Sequence, residues 1–403
     1  MFSVVVDASA LRRGVADVAQ IVPTLSPATL SWQGLWISFD QERLTVETTD
    51  GVQSLAVEIA VDESRGEGGV VLASRLVARL LRQIPKGPVR LASDGSTLTI
   101  EAGRFAATLP ALAAREVTPP LGPPDSRYNA TLPASAITDG FHHLALVLGH
   151  HWAWRTGLTS VELTPMHETI RFTGTDMTQL ALTEVPIPPG SIPPAEVGRS
   201  FLISGSAVRT IALLMPVDGD VDVVVGNDQI ELATERVTVR SLASTGPFPD
   251  YQPVMATHHD QQVVLSRSAL DASIERVSLL AHRRAATLWI RITANEVILR
   301  STDMEIGEAL EMQSATVTGD SRELGLYLWG FLAVVRRLRG EDLVIEAGPP
   351  DKALVVYTTQ HPGFRYHLLP IATAPPPSIL NREAEPPVEQ RRPEPTSQED
   401  TLA

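Results

Sequence analysis

The hydrophobic and polar positions of the chain repeat one order of secondary structure three times. Short runs in which apolar and polar residues alternate predict β-strands, and apolar residues three and four positions apart predict helices between them. In each copy a Thr-Asp pair closes a strand-like run, and successive pairs lie 126 and 127 positions apart, at Thr49-Asp50, Thr175-Asp176 and Thr302-Asp303. A period of this length indicates a repeated structural unit.

Each copy reads as a strand and a helix, several strands, and then a second strand, helix and group of strands. The first helices begin near Ala10-Leu11, Ala136-Ile137 and Ala269-Leu270. The second strand-helix passages cover residues 70–84, 201–215 and 324–338. Two helices on one face of antiparallel sheet make an α+β unit. We therefore predict an α+β protein built from three tandem domains.

Proline and glycine mark the expected boundaries between these domains. Such residues cluster at 119–124 and at 246–249, where turns and linkers are expected. We predict domain 1 over residues 1–121, domain 2 over 127–253 and domain 3 over 260–373. Residues 374–403 contain seven prolines, six acidic and three basic residues, a composition that cannot bury enough apolar surface to fold. They are predicted to form a disordered, Pro-rich acidic tail.

Composition and charge exclude several classes of protein. The chain has no cysteine, which excludes disulfide scaffolds and thiolate zinc sites. We find no leader-like start and no run of about 18 apolar residues, so we expect a soluble cytoplasmic protein. A net charge of -14 argues against coating nucleic acid with the whole surface, because phosphate binding needs clustered cations.

Positive charge is nevertheless concentrated on one repeated element, the second helix of each copy. In the first copy Arg75, Arg79 and Arg82 share one helix face, and residues 70–93 contain no acidic residue. The third copy offers Arg336, Arg337 and Arg339, and the second copy offers Arg209. We interpret Arg75, Arg79, Arg82, Arg209, Arg336 and Arg337 as candidate contacts to DNA phosphates. An ordinary solvated helix face is the alternative.

Enzymatic and metal-binding functions lack a supporting pattern. The His pairs 142–143, 150–151 and 258–259 point to different faces of a helix or strand, so they do not form metal sites by themselves. The Gly-x-Ser-x-Gly elbow is absent. The three repeated Asp residues are expected to bind local backbone at strand ends. We expect no catalysis, no metal and no cofactor.

Three motifs resemble the bacterial DNA polymerase III beta subunit family, the beta sliding clamps. The run Gly246-Pro247-Phe248-Pro249-Asp250-Tyr251 is similar to a Gly-basic-Phe-Pro-Asp-Tyr signature at the end of the family's second domain. Thr175-Asp176 with Leu180-Ala181 is similar to its Thr-Asp-Gly-x-Arg-Leu-Ala run, and residues 366–371 are similar to its closing Val-Met-Pro-Met segment. The resemblance spans residues 1 to about 371.

The resemblance implies a head-to-tail homodimer whose six domains form a ring, with sheets outside and helices lining a pore for double-stranded DNA. It implies sequence-independent phosphate contacts that permit sliding. It also implies that the ring tethers the DNA polymerase III alpha subunit and other polymerases. A separate ATP-driven clamp loader would open the ring, since the chain has no Gly-x-x-x-x-Gly-Lys phosphate loop.

The resemblance assigns residues to two protein interfaces. One is the dimer interface, with Arg104 and Phe105 on one side and Leu279, Leu280, Glu308 and Glu311 on the other. Its domain 1 strand, residues 105–110, is one residue shorter than usual, which leaves the pairing register open. The second is an apolar cleft between domains 2 and 3 for short peptide motifs, which comprises Arg155, Thr175, Met177, Leu180, Leu368, Leu369, Pro370 and Ile371.

Several positions depart from the family pattern at this cleft. Arg155 stands where an apolar residue is common, residues 177–179 replace a Gly-x-Arg stretch, and Ala256 replaces a frequent Pro. A charge in such a cleft weakens or redirects peptide binding. Two alternatives therefore stay open: a specialised second clamp with an altered cleft, serving a dedicated polymerase or giving inhibitor tolerance, and a repeat-built interaction scaffold with no DNA in its pore.

Overall fold

The computed structural model describes most of the chain up to Ile371. It covers residues 1–21, 34–72, 74–81, 83–114, 117, 119–148, 156–255, 258–281, 286–303, 305–349 and 351–371. The predicted tail at 374–403, Arg82, Arg155 and Ala256 lie outside the described residues.

Domain 1 consists of two helices and ten strands. In chain order these are β1 (Phe2–Asp7), α1 (Ala8–Val18), β2 (Leu35–Phe39), β3 (Leu44–Thr49), β4 (Gln53–Ile59), β5 (Glu63–Gly66), β6 (Gly68–Leu72), α2 (Ser74–Leu81), β7 (Pro88–Ser93), β8 (Thr97–Ala102), β9 (Phe105–Pro110) and β10 (Leu112–Ala113).

Domain 2 repeats this order with eight strands. They are β11 (Tyr128–Pro133), α3 (Ala134–Leu146), β12 (Ser160–Pro165), β13 (Thr169–Thr175), β14 (Gln179–Pro186), β15 (Phe201–Ser204), α4 (Gly205–Leu214), β16 (Asp220–Val225), β17 (Gln229–Ala233) and β18 (Val237–Leu242). One helical turn, α5 (Gln252–Met255), lies in the linker to domain 3.

Domain 3 completes the triplication. Its elements are β19 (Gln261–Ser266), α6 (Arg267–Ser278), β20 (Thr287–Ile292), β21 (Glu296–Asp303), β22 (Gly307–Ser314), β23 (Thr316–Thr318), β24 (Arg322–Tyr327), α7 (Leu328–Arg337), β25 (Asp342–Ala347), β26 (Leu354–Thr358) and β27 (His361–Leu368). The predicted α+β architecture of three domains, each with two helices on antiparallel sheet, is confirmed.

Short polar side chains set the starts of several helices. Asp7 accepts hydrogen bonds from the backbone N–H groups of Ser9 and Ala10, at 2.8 and 3.0 Å. Ser204 and Ser266 cap α4 and α6 in the same way. Such caps satisfy backbone donors that have no partner inside the helix. Behind these caps, buried apolar side chains at helical spacing join α1, α4 and α6 to the sheet core.

The repeated Thr-Asp pairs form the same tight turn in each domain. Asp50 accepts from the N–H groups of Val52 and Gln53, and Asp176 and Asp303 do the same for residues two and three positions later. The expectation that these carboxylates bind local backbone is confirmed, since each one closes a hairpin.

Two nine-stranded sheets run across the domain junctions. In one sheet β4 of domain 1 pairs with β18 of domain 2, and in the other β14 of domain 2 pairs with β27 of domain 3. In both cases the strand that follows a Thr-Asp turn pairs with the last strand of the next domain. The five-stranded sheet of domain 1 ends at β9, and the four-stranded sheet of domain 3 ends at β22.

Side chains reinforce both junctions. Arg236 donates to Asp17 across the first junction at 2.8 Å. At the second junction His143 Nδ1 and the Tyr366 hydroxyl share a hydrogen bond of 2.6 Å, and the His143 ring stacks on Phe364 with centroids 4.2 Å apart. Burial lowers the pKa of His143 to about 3, so its ring is neutral at pH 7.

A buried carboxyl lies on the outer face of the first junction. Burial raises the pKa of Glu47 to about 7, and Arg240, at 3.7 Å, only partly opposes the shift. Arg240 lies closer to Glu231, at 2.6 Å. Its guanidinium therefore pairs mainly with Glu231 and stabilises the Glu47 carboxylate only weakly. The folded protein therefore binds the Glu47 proton more tightly than the unfolded chain does.

Glu47 gives the first testable prediction. Its contribution to stability is fully present below about pH 4.5, its ordinary pKa, and is lost as the pH rises to about 7. We expect Glu47→Gln to raise the free energy of unfolding at pH 8, by up to about 3 kcal/mol, and to change it little at pH 4.5. Urea unfolding at the two pH values measures this. The more exposed Glu58→Gln is the control, and an equal gain in both variants would contradict the prediction.

Candidate nucleic-acid and protein interfaces

The arginines predicted to contact DNA differ in how free their charges are. Arg75 and Arg79 lie on α2, and Arg79 is exposed. Arg209 on α4 donates to the Gly205 carbonyl at 3.3 Å, and desolvation lowers its pKa. Arg336 on α7 binds Asp271 at 2.8 Å and Glu275 at 3.2 Å. Most of the Arg336 charge is therefore compensated inside domain 3.

Two sheet edges carry the residues predicted at the dimer interface. Arg104 lies in the turn before β9 and Phe105 begins that strand, with the bounds that the sequence predicted. On the other edge, β22 carries Glu308 and Glu311. Leu279 follows α6, and its side chain is 76% exposed. Among the described residues, neither β9 nor β22 has a strand on its outer side.

The two glutamates of β22 are held by arginines of their own domain. Glu308 forms a buried ion pair with Arg300 at 3.0 Å. Glu311 accepts from Arg276 at 2.8 Å and from Ser273 at 2.7 Å. The bond from Arg276 is the main reason that the pKa of Glu311 falls to about 2. Sequence reasoning missed the exposed apolar side chains on and before this edge, Ile306 and Met312.

Some of the residues predicted for the peptide cleft lie along the second junction, where Leu180 and Leu368 belong to the paired strands β14 and β27. Leu180 packs in a small apolar cluster with Leu182 and Tyr251, separate from the main core. The Leu369 N–H donates to the Thr178 carbonyl, and the Ile371 N–H donates to the Gly325 carbonyl, at 2.9 and 2.8 Å. The strand end that carries the closing motif is thereby fixed against both domains.

A small groove opens beside this strand end. Its volume is about 30 Å³, and it is lined by Thr178, Gln179, Leu326, Tyr327, Gly330, Phe331, Leu368 and Leu369. Tyr327 is 47% exposed and Leu369 is 41% exposed. Sequence reasoning missed Tyr327, because only the fold brings the start of α7 next to the Thr-Asp turn of domain 2. Met177, in that turn, is exposed and has a φ of 74°.

Neither a metal site nor a membrane span is found in the described part of the chain. No three His, Asp or Glu side chains cluster there in a way that holds a metal ion. No helix among the described residues is long and apolar enough to cross a bilayer.

Three tandem two-helix domains joined through shared sheets define the sliding-clamp fold. The structure matches the sliding clamp (DNA polymerase III subunit beta) from Pseudomonas aeruginosa bound to griselimycin with a TM-score of 0.85 at 19% identity, covering 92% of this chain and 100% of that chain. It matches the DNA polymerase III beta subunit from Thermotoga maritima with a TM-score of 0.82 at 19% identity, covering 93% and 100%.

Sequence comparison gives the family. Models of the DNA polymerase III beta subunit match twice, the N-terminal domain at residues 2–119 and the C-terminal domain at residues 252–372. The beta sliding clamp of Pseudomonas putida is 26% identical over 86% of this chain and 95% of its own length, and that of Chlamydia trachomatis is 25% identical over 86% and 81%. The chain belongs to the DNA polymerase III beta subunit family, whose members are non-catalytic processivity subunits.

The turn beside the groove gives the second prediction. Thr175 Oγ donates to the Gln179 carbonyl at 2.8 Å and accepts from the Met177 N–H at 3.1 Å. Thr175→Val removes both bonds without changing the shape of the side chain, and we expect it to lower the free energy of unfolding by about 1–2 kcal/mol. Urea unfolding measures the loss. Thr169→Val on the same strand is the control, and an equal effect of both changes would contradict a role for the turn.

Proposed function

We propose that this chain is a DNA sliding clamp that closes, as a head-to-tail homodimer, into a ring around double-stranded DNA. One observation carries the proposal. Two junctions of the same kind form inside the chain, and the strands that would make a third, β22 and β9, are left as edges among the described residues. A second copy supplies the missing partner for each edge, and two such contacts close the assembly.

The internal junctions support one register for the contact between copies that the sequence left open. The three hairpins that follow the Thr-Asp pairs can be aligned by their strand pairing. In this alignment Ala309 of β22 corresponds to Leu55 of β4 and to Ala181 of β14. Those residues face Val239 and Tyr366, and the corresponding residue of β9 is Ala107. The proposed contact therefore pairs Ala309 with Ala107 of the second copy, and Glu311 with its Phe105.

Charge supports the same pairing. Arg236, which binds Asp17 at the first junction, lies in the turn that corresponds to the one containing Arg104. Arg104 of one copy would thus approach Glu311 of the other, where Arg276 already lies. A carboxylate that stays ionised down to about pH 2 accepts a second guanidinium readily.

Function follows from topology once the ring is closed. We propose that the helices face DNA, with Arg79 and Arg337 making sequence-independent phosphate contacts. Weak contacts suffice, because a closed ring cannot leave a DNA without ends. The ring would tether the DNA polymerase III alpha subunit and other polymerases through the outer cleft at Leu180, Tyr327 and Leu369, after a separate loader places it on DNA in the cytoplasm.

Retention on DNA of different topology tests this function. We expect the dimer, loaded by the clamp loader of the same cell, to stay on a nicked circle through gel filtration in 0.3 M salt and to be lost when the circle is cut. Equal retention on circular and linear DNA, or equal loss from both, would contradict a topological clamp and favour a scaffold without DNA in its pore.

The dimer interface gives the third prediction. Leu279 is 76% exposed in the single chain, so Leu279→Asp leaves the folded chain intact but places a charge in the proposed interface. We expect about a hundredfold weaker dimerisation by sedimentation, which corresponds to about 2.7 kcal/mol. Leu213→Asp, at a position that is 60% exposed on α4, is the matched control. A dimer of unchanged affinity in Leu279→Asp would argue against this interface.

Two adjacent arginines give the fourth prediction. Arg336 binds two carboxylates, whereas no ion pair is seen for Arg337 among the described residues. We expect Arg337→Ala to reduce the slope of log affinity against log salt by about 0.9 for each phosphate that the side chain neutralises. Arg336→Ala should change it less. The binding of the dimer to a short duplex between 50 and 200 mM salt measures both slopes, and a larger effect of Arg336→Ala would contradict the assignment.

A further inference from the structure

A buried histidine, His367, lies beside the proposed cleft. His367, on β27, is 4% exposed. Neither of its ring nitrogens has a hydrogen-bond partner in the part of the chain that the structure describes. Leaving a buried polar group unpaired costs about 1–3 kcal/mol, so such a group in a folded protein calls for a physical reason.

The position of His367 connects it to the cleft surface. In the shared sheet it faces Leu180 on one side and Val355 on the other. Its side chain points to the outer face, as those of Leu180 and Leu369 do, because alternate strand residues share a face. Among the described residues, Leu180 is covered by Phe248, Tyr251 and the single helical turn α5.

At the first junction, the position equivalent to His367 is occupied by Arg240, and its contacts indicate what this position can bind. Arg240 faces Ser54 there as His367 faces Leu180 at the second junction. Arg240 donates to Glu231 at 2.6 Å and to the carbonyl of Leu121 at 3.2 Å. Leu121 belongs to the extended linker between domains 1 and 2, and Gln229 also donates to the neighbouring Gly122 carbonyl. At the first junction the linker between domains 1 and 2 therefore lies against the outer face of the shared sheet.

We propose that His367 is a recognition residue of the cleft and binds a carboxylate side chain of an extended client peptide. This rests on the proposed peptide-binding role of the cleft. The peptide would lie along the second junction as the linker lies along the first. The residue that corresponds to Glu231 is Val355, so the protein supplies no carboxylate of its own at that position, and the ligand brings it. Because His367 is only 4% exposed in the free chain, the peptide must displace part of what covers the imidazole.

The charges around His367 favour an anion. Burial is the main cause that lowers its pKa to about 4, and His259 and Arg365 lower it further, while Glu346 acts in the opposite direction. Glu346 is engaged by the Tyr357 hydroxyl at 2.7 Å. His367 is therefore neutral at pH 7 in the free protein. A bound carboxylate stabilises the protonated ring, so binding takes up a proton and strengthens as the pH falls from 8.5 to 6.5.

An aspartate scan tests the proposal on the full chain. The parent probe is an acetylated octapeptide with leucine at its third and sixth positions, and aspartate or asparagine is moved through the other positions. At one position we expect aspartate to bind about tenfold more tightly than asparagine at pH 6.5. Calorimetry in two buffers of different ionisation enthalpy should show uptake of up to about one proton.

Variants separate recognition from folding. His367→Val should bind the parent peptide but lose the aspartate preference and the proton uptake. His367→Gln should keep part of the preference without the proton uptake. His361→Val, at an exposed position of the same strand, should behave as wild type. If the parent peptide binds and the aspartate and asparagine variants have equal affinity at every position, the role of His367 is wrong, but the proposed peptide-binding cleft is still supported. If the parent peptide does not bind at all, both the peptide-binding cleft and the role of His367 are wrong.

Discussion

In each domain, the strand that follows the Thr-Asp turn has a row of backbone N–H and C=O groups that the domain's own sheet does not pair. These groups need a further strand as a hydrogen-bond partner. Buried without partners these groups are costly, and exposed they invite uncontrolled pairing. In domains 1 and 2 the last strand of the next domain fills the row. This requirement joins the three domains through continuous sheets. Among the described residues β9 and β22 keep such a row without a partner strand, and these are the two edges proposed to pair with a second copy.

Side chains make these junctions distinct although their backbone pairing is the same. One position on the first helix of each domain faces the shared sheet, and it is Asp17, His143 or Arg276. Asp17 binds Arg236, neutral His143 binds Tyr366, and Arg276 binds Glu311. The first two contacts cross the internal junctions, one as an ion pair and the other as a neutral aromatic contact, whereas the third lies within domain 3. Such differences would make the proposed closing contact selective for the two ends of this chain.

Sequence periodicity predicted the three repeated units and their Thr-Asp turns, because these depend on local alternation and turn chemistry, whereas the bounds of β9 came from the family resemblance. Periodicity did not predict which edges pair across domains, since that choice depends on tertiary geometry. The same limit applies to the sites. The sequence predicted Arg336 as a phosphate contact because its own helix has no acidic residue. Its partner Asp271, however, lies 65 positions away on another helix. Tyr327 and His367 come near the residues of the proposed cleft only because the second shared sheet joins domains 2 and 3.

The register of the closing contact is the part of this account that experiment can test most directly. The Glu58 N–H bonds to the Arg236 carbonyl, so alternation makes Ala309 and Ala107 a non-hydrogen-bonded pair, whose close side chains suit a disulfide. The chain has no cysteine of its own. In the variant Ala107→Cys with Ala309→Cys, oxidation should yield a covalent dimer closed by two disulfides. A monomer, or faster cross-linking when Ala309→Cys is replaced by Glu311→Cys, would contradict the ring as described.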